Sequence, residues 1–392
     1  MNIADLKDKN IVIWGTGREG KAAEAFIRSR LPTAAISFVD EASGEDISGV
    51  VKAADVIVKS PGVSLYHPLL QGRNVTSLMN LWFAEGTKAK TICITGTKGK
   101  STTSALLEHV LSEMGYTTAA VGNIGVPVSE APAGAEYLII ETSSYQAANF
   151  DGECDVGVVT SLFQEHLDWH KDVETYQRDK INLLNHARIR IVHPQVVETG
   201  IDLPKGTIVC KPVAETIPNE YLSRPHNLNN VAIALEVIRA LGLDVAAAIA
   251  AMKDFKGLPH RQQELGTKDS VLYVDDSIAT TPQAAMAAMD VYKGRPVTLI
   301  VGGYDRGVDY APLVEYIRKS RNLLVVGLGP SGRRILQDVP GEPVGTMKEA
   351  VQKAKAGTPS GGVILLSPAA PSFGLFRDYI ERGEAFAKES GF

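Results

Sequence analysis

The sequence predicts an α/β protein built of three consecutive domains, each a parallel sheet with crossover helices. Short apolar runs alternate with helical patterns from end to end. Glycine-rich turns follow three of the expected strands, at Gly15, Gly96 and Gly327. At 392 residues the chain is also longer than one ordinary hydrophobic core sustains. The expected arrangement is a Rossmann-like domain over 1–88, a P-loop-type ATP-binding domain over 89–261 and a second Rossmann-like domain over 262–392.

The first block opens with a strand at Ile11–Trp14 and a G-x-G-x-x-G frame at Gly15, Gly17 and Gly20. A helix is expected at Lys21–Arg30, then a strand at Ile36–Val39 ending on Asp40. Such a frame, with an acid about 20 positions on, fits a dinucleotide fingerprint, and equally a tight strand-to-helix turn. A third strand, Val56–Lys59, runs into Ser60-Pro61-Gly62 at the same sheet edge. The polar stretch Glu85–Lys90 reads as a linker.

The second block begins with the strand Thr91–Thr95 and the loop Gly96-Thr97-Lys98-Gly99-Lys100-Ser101-Thr102, before a helix at Ser104–Met114. Glycines let backbone N–H groups face phosphate oxygens, and a helix N-terminus favours negative charge. Lys100 would meet the outer phosphates, and the Ser101 or Thr102 hydroxyl a Mg²⁺ ion. The full motif's first glycine is Ile94 here. Tyr137–Glu141 is a strand with a carboxylate at its carboxyl end, where a phosphate-bound cation needs an anionic ligand. A strand at Val156–Thr160 leads to Gln164–His170, two histidines and two acids in a polar loop too sparse for a zinc site. Lys180, on the helix Val173–Leu184, reads as a solvated lysine. Asn227 and Asn230 share a face before the helix Val231–Leu241, which capping alone would explain. Gly257–Arg261 has the punctuation of a hinge.

In the third block, the strand Val271–Val274 ends at Asp275-Asp276, and Thr281 with Pro282 is expected to start a helix. The frame Gly327, Gly329, Gly332 follows the strand Leu323–Val326 without a later acid, so it reads as a structural turn. The strand Val363–Leu366 leads through Ser367–Ser372 to a last helix over Phe373–Lys388.

Composition narrows the classes. Apolar residues make up 44% and charged residues 22%, with a net charge of −5, which gives no case for nucleic-acid binding. No apolar run reaches the roughly 20 residues of a membrane span, and the first residues lack the pattern of an export signal. The three cysteines, widely spaced, suggest reduced thiols. A cytoplasmic monomer without membrane insertion is the expectation.

Together these motifs resemble the Mur ligases. The resemblance rests on TGTKGKSTT, GNIG at Gly122–Gly125, ETSSYQ from Glu141, QEHLD, YQRDK, HNLNN, GLPHR, DDSIATTP and SPAAPSF, in family order over nearly the whole chain. It implies a glutamate-adding ligase of peptidoglycan precursor synthesis, acting on UDP-N-acetylmuramoyl-L-alanine through an acyl phosphate made from ATP. It further implies two Mg²⁺ ions held by Ser101, Glu141 and His166, and a carbamylated Lys180. Asn123 would touch the muramoyl substrate, and Asn227, Asn230, Arg261 and Asp276 would contact ATP. Gly15, Thr16, Gly17, Asp40, Ser60, Pro61 and Gly62 would take the uridine diphosphate, and Thr142 and Ser143 the substrate. Thr280, Arg306, Ser372, Phe373 and Tyr379 would face glutamate.

Departures from the family cluster near the expected glutamate site. Ile278 stands for a usual lysine, Arg306 for another, and Gly374 for an acid. Arg188–Leu222 is also short for the family. D-glutamate is the expected amino acid, with L-glutamate as the alternative. A folylpolyglutamate synthase should lack the complete first block. A non-catalytic nucleotide-binding module should lack Lys100, Glu141, His166 or Lys180, and all four are present.

Overall fold

The computed structural model describes every residue except Ala42, Ser43, Glu45, Ile124 and Gly125, together with the His226 side chain. The central strands are apolar because they are buried on both faces, as parallel sheets require, while the edge strands Ile208–Val209 and Gln263–Lys268 remain partly or fully exposed. Among the described residues, sixteen strands form three sheets.

In the first sheet, β1 (Asn10–Trp14), β2 (Ala35–Val39), β3 (Val56–Lys59) and β4 (Val75–Thr76) are all parallel, in the order β2-β1-β3-β4. The second holds β5 (Lys90–Thr95), β6 (Thr118–Gly122), β7 (Tyr137–Glu141), β8 (Cys154–Val159), β9 (Ala187–Val192) and β10 (Ile208–Val209). It too is wholly parallel, ordered β10-β9-β8-β5-β7-β6. The third contains β11 (Gln263–Lys268), β12 (Val271–Asp275), β13 (Val297–Val301), β14 (Leu323–Leu328), β15 (Glu342–Val344) and β16 (Val363–Leu366). Its order is β11-β12-β16-β13-β14-β15, with β11 the antiparallel edge.

The chain divides into two compact units, residues 1–255 and 256–392. The first unit holds two sheets. One apolar cluster runs from Ile11, Ile13, Phe26 and Ile27 beneath the first sheet to Cys93, Leu138, Phe150 and Leu183 beneath the second. Phe83 and Phe150 meet edge-on there, with ring centroids 4.9 Å apart. The second unit buries both faces of its own sheet. The three cysteines are buried and unbridged.

Several expected boundaries move: the helix expected at Ser104–Met114 is Lys100–Glu113, and that expected at Val231–Leu241 is Pro225–Ala240. The first helix spans Arg18–Arg28, three residues earlier than the pattern suggested, because Gly17 is its N-cap. The last helix is Tyr379–Ser390 rather than Phe373–Lys388. Gly374 takes a positive φ of 81°, and the Asp378 carboxylate caps the helix by accepting from the Glu381 N–H.

Candidate active site

In residues 1–255 the phosphate loop joins β5 to the helix Lys100–Glu113. Gly99 is the left-handed N-cap, φ 90°, and a Cβ there would lie 2.7 Å from the Asn230 Oδ1. Gly96 also has a positive φ, and a Cβ would collide with the Thr160 hydroxyl. Both glycines are therefore required by backbone and space. Thr97 is fixed by Tyr176, hydroxyl to hydroxyl 2.7 Å, and its N–H donates to Ser161 O. Lys98 pairs with Glu165 at 2.7 Å.

Lys100 Nζ donates to Gly96 O at 2.9 Å and Thr97 O at 3.1 Å, so its charge is held at the loop. Lys180 reaches the same carbonyl, Nζ to Gly96 O at 2.8 Å. It is not the solvated lysine its sequence context suggested: only 2% of it is exposed. Burial, then the Lys100 charge, push its amine well below the ordinary lysine range.

Glu141 ends β7 and is also buried. Asn123 Nδ2 donates to one carboxylate oxygen at 2.6 Å. The other, Oε2, is buried with no hydrogen-bond partner, an arrangement that suits a hard cation. His166 sits in the left-handed region, φ 55°, and is half exposed. Burial first, and Lys180 among its neighbours, lower its pKa, leaving a ring nitrogen able to ligate. Among the described residues no group of three or more His, Cys, Asp or Glu could hold a metal ion. A cation here would draw on Glu141, the half-buried Ser101 and His166 individually, with phosphate and water completing its shell. The donor set fits Mg²⁺ better than zinc.

Several residues expected at the site also bond within the protein or are buried in it. Asn227 Nδ2 donates to Tyr221 O, and Asn230 Oδ1 accepts from the Thr103 hydroxyl behind the phosphate loop. Thr102 is buried in the first helical turn. Thr142 is fully buried, its hydroxyl donating to Ile140 O. Ser143 caps a short helix by accepting from the Gln146 N–H. Ile124 and Gly125 of the Gly122–Gly125 motif lie outside the described residues.

At the carboxyl edge of the first sheet, Asp40 accepts from the Thr16 hydroxyl at 2.6 Å and the Thr16 N–H at 3.1 Å, closing the Gly15–Gly17 turn. Gly15 is hemmed in by Ser60, whose buried hydroxyl has no partner. Pro61 O accepts from Trp169 Nε1 at 3.2 Å, just before Gly62.

In residues 256–392 the acids at the end of β12 are both buried. Asp275 accepts from His260 Nδ1 at 2.7 Å. Asp276 accepts from the Ser367 hydroxyl at 2.7 Å and the Gln262 N–H at 3.1 Å. Burial nonetheless raises its pKa to about 7, against the lowering pull of these bonds and of Arg261. Thr281 caps the helix Pro282–Val291 as the sequence suggested. Arg306 is exposed and donates to Thr280 O at 3.2 Å. Ser372 is buried, while Phe373 and Tyr379 are exposed.

Arg382 was not singled out from sequence. It is fully buried and donates to Ser277 O at 2.6 Å, the Ser277 hydroxyl at 3.0 Å and Ala370 O at 2.9 Å. It thereby ties the loops after β12 and β16 to the last helix. Ser144 and Asp179 fall inside the quoted ETSSYQ and YQRDK stretches and His170 ends the Gln164–His170 loop, yet sequence assigned a role to none of them, nor to Lys59 or Tyr66.

Residues 94–194 match the Mur ligase middle domain, and residues 260–370 match the Mur ligase glutamate ligase domain. The chain is 39% identical to a UDP-N-acetylmuramoyl-L-alanine--L-glutamate ligase of Micromonospora sp., covering 99% of the chain and 98% of that protein. The chain belongs to the Mur ligase family. A ligase of the same name from Xanthomonas euvesicatoria is 37% identical over 100% of the chain and 97% of its own length. The first of these alignments runs over 444 positions against a chain of 392. As a Mur ligase the protein is an ATP-dependent amide-forming enzyme. Two solved Mur ligases share the fold. The UDP-N-acetylmuramate-alanine ligase MurC from Thermotoga maritima has a TM-score of 0.59 at 17% identity, covering 97% of this chain and 98% of its own. MurF ligase from the same organism, in complex with ADP, has a TM-score of 0.57 at 15% identity, covering 99% and 96%.

Proposed function

We propose that this Mur ligase joins L-glutamate to UDP-N-acetylmuramoyl-L-alanine with hydrolysis of ATP to ADP and phosphate. The observation that carries the reading is Glu141: one oxygen is held by Asn123 and the other is buried without a partner, at the strand edge beside the phosphate loop. The choice of L-glutamate follows the names of the full-length relatives. The departures at Ile278, Arg306 and Gly374 favour the same choice, and D-glutamate is the second reading.

The substrate carboxylate would attack the γ-phosphate, giving an acyl phosphate, and the glutamate amine would then displace phosphate. The protein's share is positioning and charge stabilisation. The loop amides and Lys100 would hold the outer phosphates, and Asn123 the reacting carboxyl. Ser101, Glu141 and His166 would hold Mg²⁺, two ions in all, which neutralises phosphate charge. Lys180 is suited to carbamylation: burial pushes its amine well below the ordinary lysine range, which favours the neutral amine that adds CO₂ with loss of a proton. Arg306 would offer the glutamate side a planar, two-pronged cation. The site face of residues 256–392 would include Thr280, Ser372, Phe373 and Tyr379. A cytoplasmic monomer, without a nucleic-acid partner, completes the reading.

The test is incubation with ATP, Mg²⁺ and UDP-N-acetylmuramoyl-L-alanine, with D- or L-glutamate supplied in parallel, measuring phosphate and product mass. Product with L-glutamate alone supports the proposal. Product with D-glutamate alone moves it to the second reading, and no product with either overturns the substrate assignment.

A further inference from the structure

In residues 1–255 four side chains form a chain of short hydrogen bonds whose connection the sequence does not reveal. The Tyr66 hydroxyl donates to Asp179 Oδ1 at 2.6 Å. Asp179 Oδ2 accepts from His170 Nδ1, also at 2.6 Å. His170 Nε2 lies 2.9 Å from the Ser144 hydroxyl. A carboxylate can only accept, so the proton sits on Nδ1 and Nε2 is left to pair with Ser144.

The Ser-His-Asp part has the connectivity of a hydrolase triad, but its burial rules out that use. Ser144, His170 and Asp179 are 3%, 0% and 5% exposed. No substrate carbonyl can reach Ser144. A fully satisfied buried network instead fixes the elements it joins. Its ends lie beside the reacting groups. Ser144 follows Glu141, Thr142 and Ser143, and Asp179 directly precedes Lys180 on the helix Val173–Asn185. Tyr66 lies on the loop that follows Ser60-Pro61-Gly62. That loop is anchored twice more to the turn carrying His166: the Ser64 hydroxyl donates to Trp169 O at 2.8 Å, and Trp169 Nε1 to Pro61 O.

We propose that His170 is a positioning residue, holding the Glu141–Ser144 segment, the Lys180 helix and the 60–66 loop in one register. What the register serves rests on the function proposed above; the relay itself does not. The arrangement makes the occupancy of the 60–66 loop and the placement of Lys180 energetically linked, although Tyr66 and Ser144 do not share a hydrogen bond.

The experiment is a double-mutant cycle with Tyr66→Phe and Ser144→Ala in the full chain, read by kcat and KM for the UDP-linked substrate and by amide hydrogen exchange without ligand. Coupling predicts that the two changes are non-additive by threefold or more in kcat/KM. It also predicts that Ser144→Ala raises KM for the UDP-linked substrate and that Ser144→Thr, which keeps the hydroxyl, restores it, a rescue that general loosening would not give. His170→Ala should speed exchange at both 60–67 and 144–147, and His170→Asn, which can keep the bond to Asp179, should restore the first of these. Additive changes, or exchange altered only around the substituted residue, would overturn the relay. If the unaltered chain makes no product with either glutamate, the function fails but the exchange measurements still decide the relay.

Discussion

A charged group taken out of water must find a partner or lose its charge, and two buried side chains here make opposite predictions. Asp276 has its carboxyl raised to about 7 by burial. It binds its proton more tightly folded than unfolded, so its contribution is fully present below about 3.8 and lost as pH rises through about 7. The stability difference between the unaltered protein and Asp276→Asn should therefore shift against the unaltered protein between pH 4 and 7, read by urea midpoints. Lys59 is the reverse. Burial lowers its amine to about 7, against the pull of Asp179 and Glu19. It binds its proton less tightly when folded, so stability is lost as pH falls from about 10.5 toward 7. Lys59→Met should gain on the unaltered protein as pH drops across that window, and a flat difference would mean that Lys59 keeps its charge in the fold. Neither shift is legible in sequence. Lys59 ends a strand and Asp276 follows one, as many solvated residues do, and only the packing around them sets the shift. Lys100, Glu141 and His166, by contrast, stand at positions where strand, turn and helix order already fixes their neighbours.

At the level of elements, glycine and arginine hold the loops that matter. Gly96→Ala would need a positive φ and would press on Thr160. The backbone strain alone is about 1–2 kcal/mol, so ATP affinity should fall about tenfold or more, measurable by calorimetric titration. Arg382→Met would leave the carbonyls of Ser277 and Ala370 without their donor inside the protein. A loss of about 2–4 kcal/mol is expected from two orphaned acceptors, seen in urea unfolding of residues 256–392. Strands with continuous apolar runs, such as β5, β7 and β16, were legible because buried parallel strands need nothing else. The edge strand β11 was not. Its register shifts between Glu264 and Gly266, which breaks the alternation that would reveal it. The last helix was placed six residues early because apolar Phe373 and Phe376 mimic a helical face before Asp378 supplies the cap.

For the molecule as a whole, the shared core of residues 1–255 decides how it unfolds. The sequence shows a polar linker at Glu85–Lys90, which suggests that the first sheet could open alone. The packing argues otherwise, because apolar residues of both sheets sit in one cluster and cooperative units follow buried contacts rather than linkers. Phe150 is 2% exposed and meets Phe83 from the helix Leu78–Glu85. Truncating it to alanine should cost about 3–5 kcal/mol. That cost should appear equally in the slowest-exchanging amides of β1 and β5, while β12 and β13 keep theirs. Loss of protection in β5 alone would show instead that the first sheet is a separate folding unit, joined to the second only through the chain.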